Sequence, residues 1–286
     1  MVSIVVWLCP AIAAAAGVVL GNEHDPDAKE AIDAARQSAP DFSFADIESA
    51  DAPEQLRHAD VILAVGARAL TMARTVAPDH PTVYTLVPAA EALPGKAVTG
   101  VAMEVPPFVL FAQWKQIRFD GLRIGVVYDP KVSGALVAEG NKAAGALGMT
   151  LVMRQVSDPA QIRKALDELA PQIDVLWLVP DRKLFSDASA KSVVAFALGK
   201  KLALLGFSDG ITADGALASL SPDGKDIGRR AARMAVGIAG RPADQRLPVP
   251  PMTTSPGALT VNAKTAQLIG LEIPEGLLRK ARKVYH

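Results

Sequence analysis

The chain has 286 residues and balanced charge, with 30 Lys plus Arg against 30 Asp plus Glu; half of it is hydrophobic and only 5% is aromatic. This excludes a disordered chain and gives no basic stripe to draw nucleic acid, and it fits a core of Ala, Val, Leu and Ile, as in buried parallel sheet under Ala-rich helices. The length accommodates two lobes of roughly 120–150 residues each.

Residues 2–20 are almost continuously apolar. The run reads as a signal peptide over 1–16, with small residues allowing cleavage after Ala15 or Ala16. It also fits a buried first strand or a membrane anchor of minimal length. No Lys or Arg follows Met1, so the usual basic start of a signal is missing. Cys9, the single cysteine, lies in this run behind Val6-Trp7-Leu8, which lacks the small residues of a lipid-attachment motif. Cleavage would leave no cysteine, and with it no disulfide and no cysteine zinc site.

From residue 17 onward, strands and helices alternate. Residues 18–20 predict a strand and 25–39 a helix, with Asp25 as cap and Pro26 at its first position. The apolar run 59–66 ends at Gly66 and predicts a buried strand, followed by a helix and a strand over 82–87. A helix near 108–117 is expected to complete the first lobe, and the chain then crosses at Phe119–Leu122. The second block predicts strands at 123–129, 150–156, 173–180, 201–208 and 215–221. Helices are expected from Ser133 to Leu147, over 158–170 behind Asp158 and Pro159, over 187–200, and over 226–240.

The blocks echo each other. ADVILAVGARAL, a helix and PTVYTLV parallel IDVLWLVPDRKL, a helix and KLALLGF. The fold expected is α/β with two Rossmann-like, hinged lobes of parallel sheet. One comprises 17–118 plus about 222–245; the other comprises 122–218 plus about 250–286. Ligand contacts then come from loops at the carboxyl ends of strands, in a cleft between the lobes.

This picks out Gly66, Ala67 and Arg68 in one lobe. The backbone there can meet a carboxylate at a helix N-terminus, and Arg68 can pair with an acidic group. In the other lobe it picks out Tyr128 and Asp129, then Asp181 at the turn equivalent to Gly66, then Ser208 and Asp209. Each has a plain structural alternative as turn or cap residue, and Ser133 is read as an N-cap.

Most catalytic signatures are missing. Residues 206–210, GFSDG, match G-x-S-x-G, but there is no H-E-x-x-H, no phosphate-binding G-x-x-x-x-G-K-[ST] and no G-x-G-x-x-G. His24, His58, His80 and His286 are not spaced as metal ligands, although His24 sits in an acidic loop. No cofactor and no enzyme activity is expected.

Several stretches resemble the ABC transporter substrate-binding family that includes tryptophan- and tyrosine-type binding proteins. They are DVILAVGARAL, KAVTGVAM at 96–103, RIGVVYDP at 123–130, GALASLSPDGKDIGRRAARMAVGIAGRPAD at 215–244 and LTVNAKTAQLIGLEIPEGLLRKARKVY at 259–285. The resemblance implies a type I periplasmic-binding-protein fold with three inter-lobe crossings. It also implies a periplasmic, monomeric protein that passes a small polar or amino-acid-like ligand to an ABC permease in the inner membrane. An exported sensor of the same fold, feeding a membrane kinase, is the alternative. The chain departs from the family at Ala67, where Thr or Ser is usual, and at Val87-Pro88-Ala89, where Asp-Pro is usual.

Overall fold

The computed structural model describes residues 17–87, 94–117 and 122–286. The proposed signal at 1–16 and nearly all of the proposed crossing at 119–122 lie outside the described residues. The chain divides into two compact units. Unit 1 runs to Met103 and takes in Gly224–Thr253; unit 2 holds Glu104–Asp223 and Thr254–His286.

Unit 1 opens with β1 (Gly17–Gly21), α1 (Pro26–Ser38), β2 (Ser43–Asp46), α2 (Ala52–Arg57), β3 (Val61–Val65), α3 (Ala67–Val76), β4 (Thr82–Thr85) and β5 (Val98–Ala102). These strands lie in the order β2-β1-β3-β4-β5, all parallel, with β11 (Thr253–Thr254) beyond β5. Strands β1 and β3 are buried on both faces, which is why they read as unbroken apolar runs. One face of the sheet packs Val19, Leu63 and Val83 on α1 and on α9 (Gly224–Ala239). The other packs Leu20, Ile62 and Tyr84 on α2 and α3. Helices α1 and α9 meet backbone to backbone at Gly228, where a Cβ would lie 2.2 Å from the Ala31 carbonyl oxygen.

Unit 2 begins with α4 (Pro107–Ile117), β6 (Arg123–Tyr128), α5 (Gly134–Ala146), β7 (Thr150–Gln155), α6 (Ile162–Leu169) and β8 (Val175–Trp177). It continues with α7 (Asp187–Gly199), β9 (Ala203–Gly206), α8 (Asp209–Ala213), β10 (Ala218–Ser221), β12 (Ala258–Asn262), α10 (Ala263–Ile269), α11 (Glu275–Lys280) and β13 (Lys283–Tyr285). The order β7-β6-β8-β9-β10 repeats that of unit 1 strand for strand, and β12 and β13 extend it. Among the strand pairs described for this sheet, β10–β12 is antiparallel and the others are parallel.

Three expectations need correction. Helix α4 belongs to unit 2, not to the first lobe, and the first unit's opening stretch ends at Met103 rather than 118. The reason is its aromatic face: Leu110, Phe111 and Trp114 join the cluster of Leu122, Val126 and Ala144, and Phe111 meets Trp177 edge-on at 5.0 Å. The chain returns to unit 2 after Thr253, not near 245–250. The strand expected over 173–180 shrinks to Val175–Trp177, since Pro180 has no N–H to continue the ladder. Helix α9 sits in unit 1.

Candidate functional site

In a sheet of this strand order, the crevice lies where consecutive connections leave to opposite faces, at the carboxyl ends of the first and third strands. In unit 1 those are β1 and β3; in unit 2 they are β6 and β8.

In unit 1, β3 ends at Val65 and Gly66 turns the chain with φ 93° and ψ 160°, a backbone region that is essentially glycine-only. Its N–H donates to the Thr85 carbonyl at 2.8 Å, so the backbone donor expected to face a ligand is spent inside the sheet. Helix α3 starts at Ala67 with no side-chain cap, which leaves its first N–H groups without intrahelical partners. Arg68 is exposed and pairs with Glu48 at 2.7 Å. Asp46, at the end of β2, ties down the neighbouring loops by accepting the N–H groups of Glu23 (3.2 Å) and Glu48 (2.7 Å).

In unit 2, β6 delivers Asp129 and the segment after β8 delivers Asp181; both are 1% exposed. The structure joins them directly. Asp181 Oδ2 accepts the Asp129 N–H at 3.0 Å and the Ser133 hydroxyl at 2.7 Å, while Oδ1 accepts the N–H groups of Lys183 and Leu184, both at 3.2 Å. Asp129 accepts the Lys131 N–H at 2.8 Å and pairs with the Lys183 ammonium. The Lys183 ammonium, and after it the Lys131 N–H, holds the Asp129 carboxyl below the usual carboxylate range. Ser133 occupies the N-cap position of α5, but its hydroxyl serves Asp181 instead of the helix, correcting the expected cap.

The other expected residues are placed apart from this pair. Tyr128 lies in the core, its hydroxyl accepting from Gln155 Nε2 at 3.1 Å. Ser208 caps α8 through the Ile211 N–H. Asp209 accepts the Ser221 hydroxyl at 2.9 Å and pairs with Arg282. Ser133, Lys183, Glu48 and Arg282 were not singled out as partners. One signal for Lys183 was in view: Asp-x-Lys recurs at 129–131 and 181–183, each time just past a buried strand.

Depressions elsewhere have other characters. One of about 410 Å³ in unit 1 is lined by helix-surface residues such as Lys29, Asp33 and Arg229. One of about 500 Å³ in unit 2 lies by Pro171, Asp174 and Lys201, at the amino ends of β8 and β9. Among the described residues no group of three His, Cys, Asp or Glu is placed to hold a metal ion, and no helix is long and apolar enough to cross a membrane.

A family model described as ABC transporter substrate binding protein matches residues 73–285. Among solved structures, the chain is similar to the ABC domain in complex with L-Trp from Streptococcus pneumoniae. The two are 19% identical, 94% of this chain and 99% of that one are covered, and the TM-score is 0.60. A ligand-free, open substrate binding protein with adhesive properties from Clostridium difficile matches at 19% identity, with 94% and 98% covered and a TM-score of 0.74. A conserved domain protein from Vibrio cholerae matches at 23% identity, with 94% and 99% covered and a TM-score of 0.57. No curated relative matches the chain.

Proposed function

The chain belongs to the ABC transporter substrate-binding protein family, whose members bind solutes and are not enzymes, and from that premise we propose that it is the extracytoplasmic solute-capturing component of an ABC importer. The observation that carries the reading is the family match over 73–285 on two sheets whose first five strands share one order, each with its own switch point. The ligand we propose is small and polar or amino-acid-like, and the receiving partner is a permease in the inner membrane. The protein works as a monomer.

Unit 1 contributes the turn Gly66-Ala67-Arg68. Its open α3 N-terminus suits a carboxylate or another electron-rich group, because uncapped N–H groups and the helix dipole both favour negative charge. Unit 2 contributes the turns at Asp129 and Asp181 and the strand end at Ser208 and Asp209. Tyr128 supports the Asp129 turn from within the core.

Export belongs to the same proposal. Sequencing the amino terminus of protein recovered from the periplasm should read from near Gly17. Intact Met1 on a soluble cytoplasmic product would overturn the export step.

The capture reading is tested by a thermal-shift screen of amino acids, small carboxylates, nucleosides and sugars. A ligand that binds only the native state at a hundred times its Kd stabilises by about 2.7 kcal/mol. For a chain of this size that is a rise of roughly 5–10 °C in Tm. No shift with any class would overturn the reading.

A further inference from the structure

Two turns of one design stand side by side at the switch point of unit 2: Asp129-Pro130-Lys131 past β6 and Asp181-Arg182-Lys183 past β8. In each, the aspartate accepts the N–H two residues on, at 2.8 Å for Lys131 and 3.2 Å for Lys183. The second aspartate also accepts the N–H of the first, which locks one turn to the other.

The charges of these turns are unequally available. A carboxylate has about four lone-pair positions, and Asp181 fills them with two donors on each oxygen. Asp129 is buried and already holds the Lys183 ammonium. An incoming ammonium would therefore meet no free lone pair on Asp181 and, on Asp129, a buried carboxylate whose charge Lys183 already balances. The basic groups are on the outside. The Lys183 side chain is 47% exposed. Lys131 and Arg182 are exposed, and neither side chain forms an ion pair among the described residues. Two carboxylates against three cations leave the turn pair with a net positive charge. Helix α5 adds donors: with the Ser133 hydroxyl withdrawn to Asp181, its first turn has no side-chain cap, and its first N–H groups lack intrahelical partners.

We infer that the part of the ligand met by unit 2 is anionic, a carboxylate or equivalent oxyanion, recognised by Arg182 and Lys183 beside the first turn of α5, and that Asp181 is a positioning residue that holds both turns without touching the ligand. This rests on the solute-capture reading above and narrows its ligand class. An exported amine carrier would need an exposed carboxylate free to accept; Asp181 is fully engaged, and Asp129 is buried and paired with Lys183.

The experiment is calorimetric titration of the chain with leucine against leucinamide and succinate against succinamide, at low and high salt. The carboxylate member of at least one pair should bind, its amide at least tenfold more weakly, and the difference should shrink with salt. Arg182→Gln, which removes no partner from the fold, should weaken the bound carboxylate about 10- to 100-fold, the range of a charged hydrogen bond. Lys183→Arg should hold affinity within a few fold. Asp181→Asn separates positioning from contact: loosened turns should narrow the preference for carboxylate over amide as Tm falls. A tenfold loss for leucine and leucinamide alike, with that preference kept, would make Asp181 an ammonium contact and overturn the inference. Equal binding of amide and carboxylate, with Arg182→Gln silent, overturns it too and leaves solute capture standing. So does failure of all four probes while a sugar or nucleoside binds. Failure of every solute class overturns both.

Discussion

The two units finish the same position of the same sheet by different physics. In each, the third strand of the fold ends at the switch point, β3 in unit 1 and β8 in unit 2. Unit 1 turns there on a glycine held at φ 93°, with no side chain involved and an uncapped helix beyond it. Unit 2 turns there on Asp181, a buried carboxylate accepting from Asp129, Ser133, Lys183 and Leu184. One edge is shaped by a backbone conformation and stays open. The other is wired together and has its acceptors used up. Equivalent topology therefore does not give equivalent chemistry: one strand end leads into bare N–H groups and the other into basic side chains.

The sharpest way to break this comparison is Asp181→Ala. It strips partners from a buried hydroxyl and from buried or half-buried N–H groups, each costing about 1–3 kcal/mol if left unmade. With water reaching the turn, the total loss should be about 3 kcal/mol, lowering Tm by roughly 6–12 °C. Equilibrium denaturation measures it. A loss under about 0.5 kcal/mol would mean that the carboxylate does not organise this edge.

Gly66→Ala asks the matching question of unit 1. A Cβ at Gly66 would have nothing within 4 Å, so sterics with neighbours predict a silent change. The backbone predicts otherwise. An alanine at φ 93° and ψ 160° should cost about 1–3 kcal/mol. Stability equal to the parent would show that the turn relaxes freely and that the glycine is there for ligand access alone.

Much of the contrast was legible in advance, and what was not has a physical cause. The echo between ADVILAVGARAL and IDVLWLVPDRKL marked β3 and β8, which do occupy equivalent places, because doubly buried strands leave unbroken apolar runs. Edge strand β2 gave no such signal, since Ser43-Phe44-Ala45-Asp46 has one buried residue. Helix α4 was given to the first lobe because an aromatic face says that a helix is buried but not against which sheet. At the site, strand ends were readable and partners were not. Asp129 and Asp181 meet across 52 residues of chain. The Asp-x-Lys repeat is a sequence signal left unused, and even so the pairing of Lys183 with Asp129 rather than with its own turn's aspartate depends on β6 and β8 being neighbours.

Acid should separate the units. The Asp129 carboxyl is held below the ordinary range, first by Lys183 and then by the Lys131 N–H. A depressed folded value stabilises above the unfolded value, which is about 3.9, and that contribution disappears as pH falls through the folded value. Melting curves of the parent and of Asp129→Asn should thus differ by a constant amount at pH 5–7 and converge below about pH 4. Parallel curves down to pH 2.5 would show that the Asp129–Lys183 pair carries no linkage.

The smallest effect is expected at Arg68, and it sharpens the comparison because it isolates function from stability. Arg68 pairs with Glu48 at 2.7 Å, but the side chains are 71% and 58% exposed. Solvent screens such a pair, and holding two long side chains in one geometry costs entropy, so exposed ion pairs contribute about 0.2–1 kcal/mol. A double-mutant cycle on Arg68→Ala and Glu48→Ala should return a coupling at the bottom of that range, about 0.3 kcal/mol. Among the described residues Arg68 bonds Glu48 at the exposed surface, in contrast to the buried Asp181 of unit 2. Any loss of ligand affinity in Arg68→Ala beyond that coupling then belongs to a contact with the ligand, not to a loosened turn. Glu48→Ala supplies the control: it frees Arg68 without removing it, so affinity for an anionic ligand should hold or rise. Equal losses in both single variants would mean that the pair acts as one structural unit, and Arg68 would leave the site.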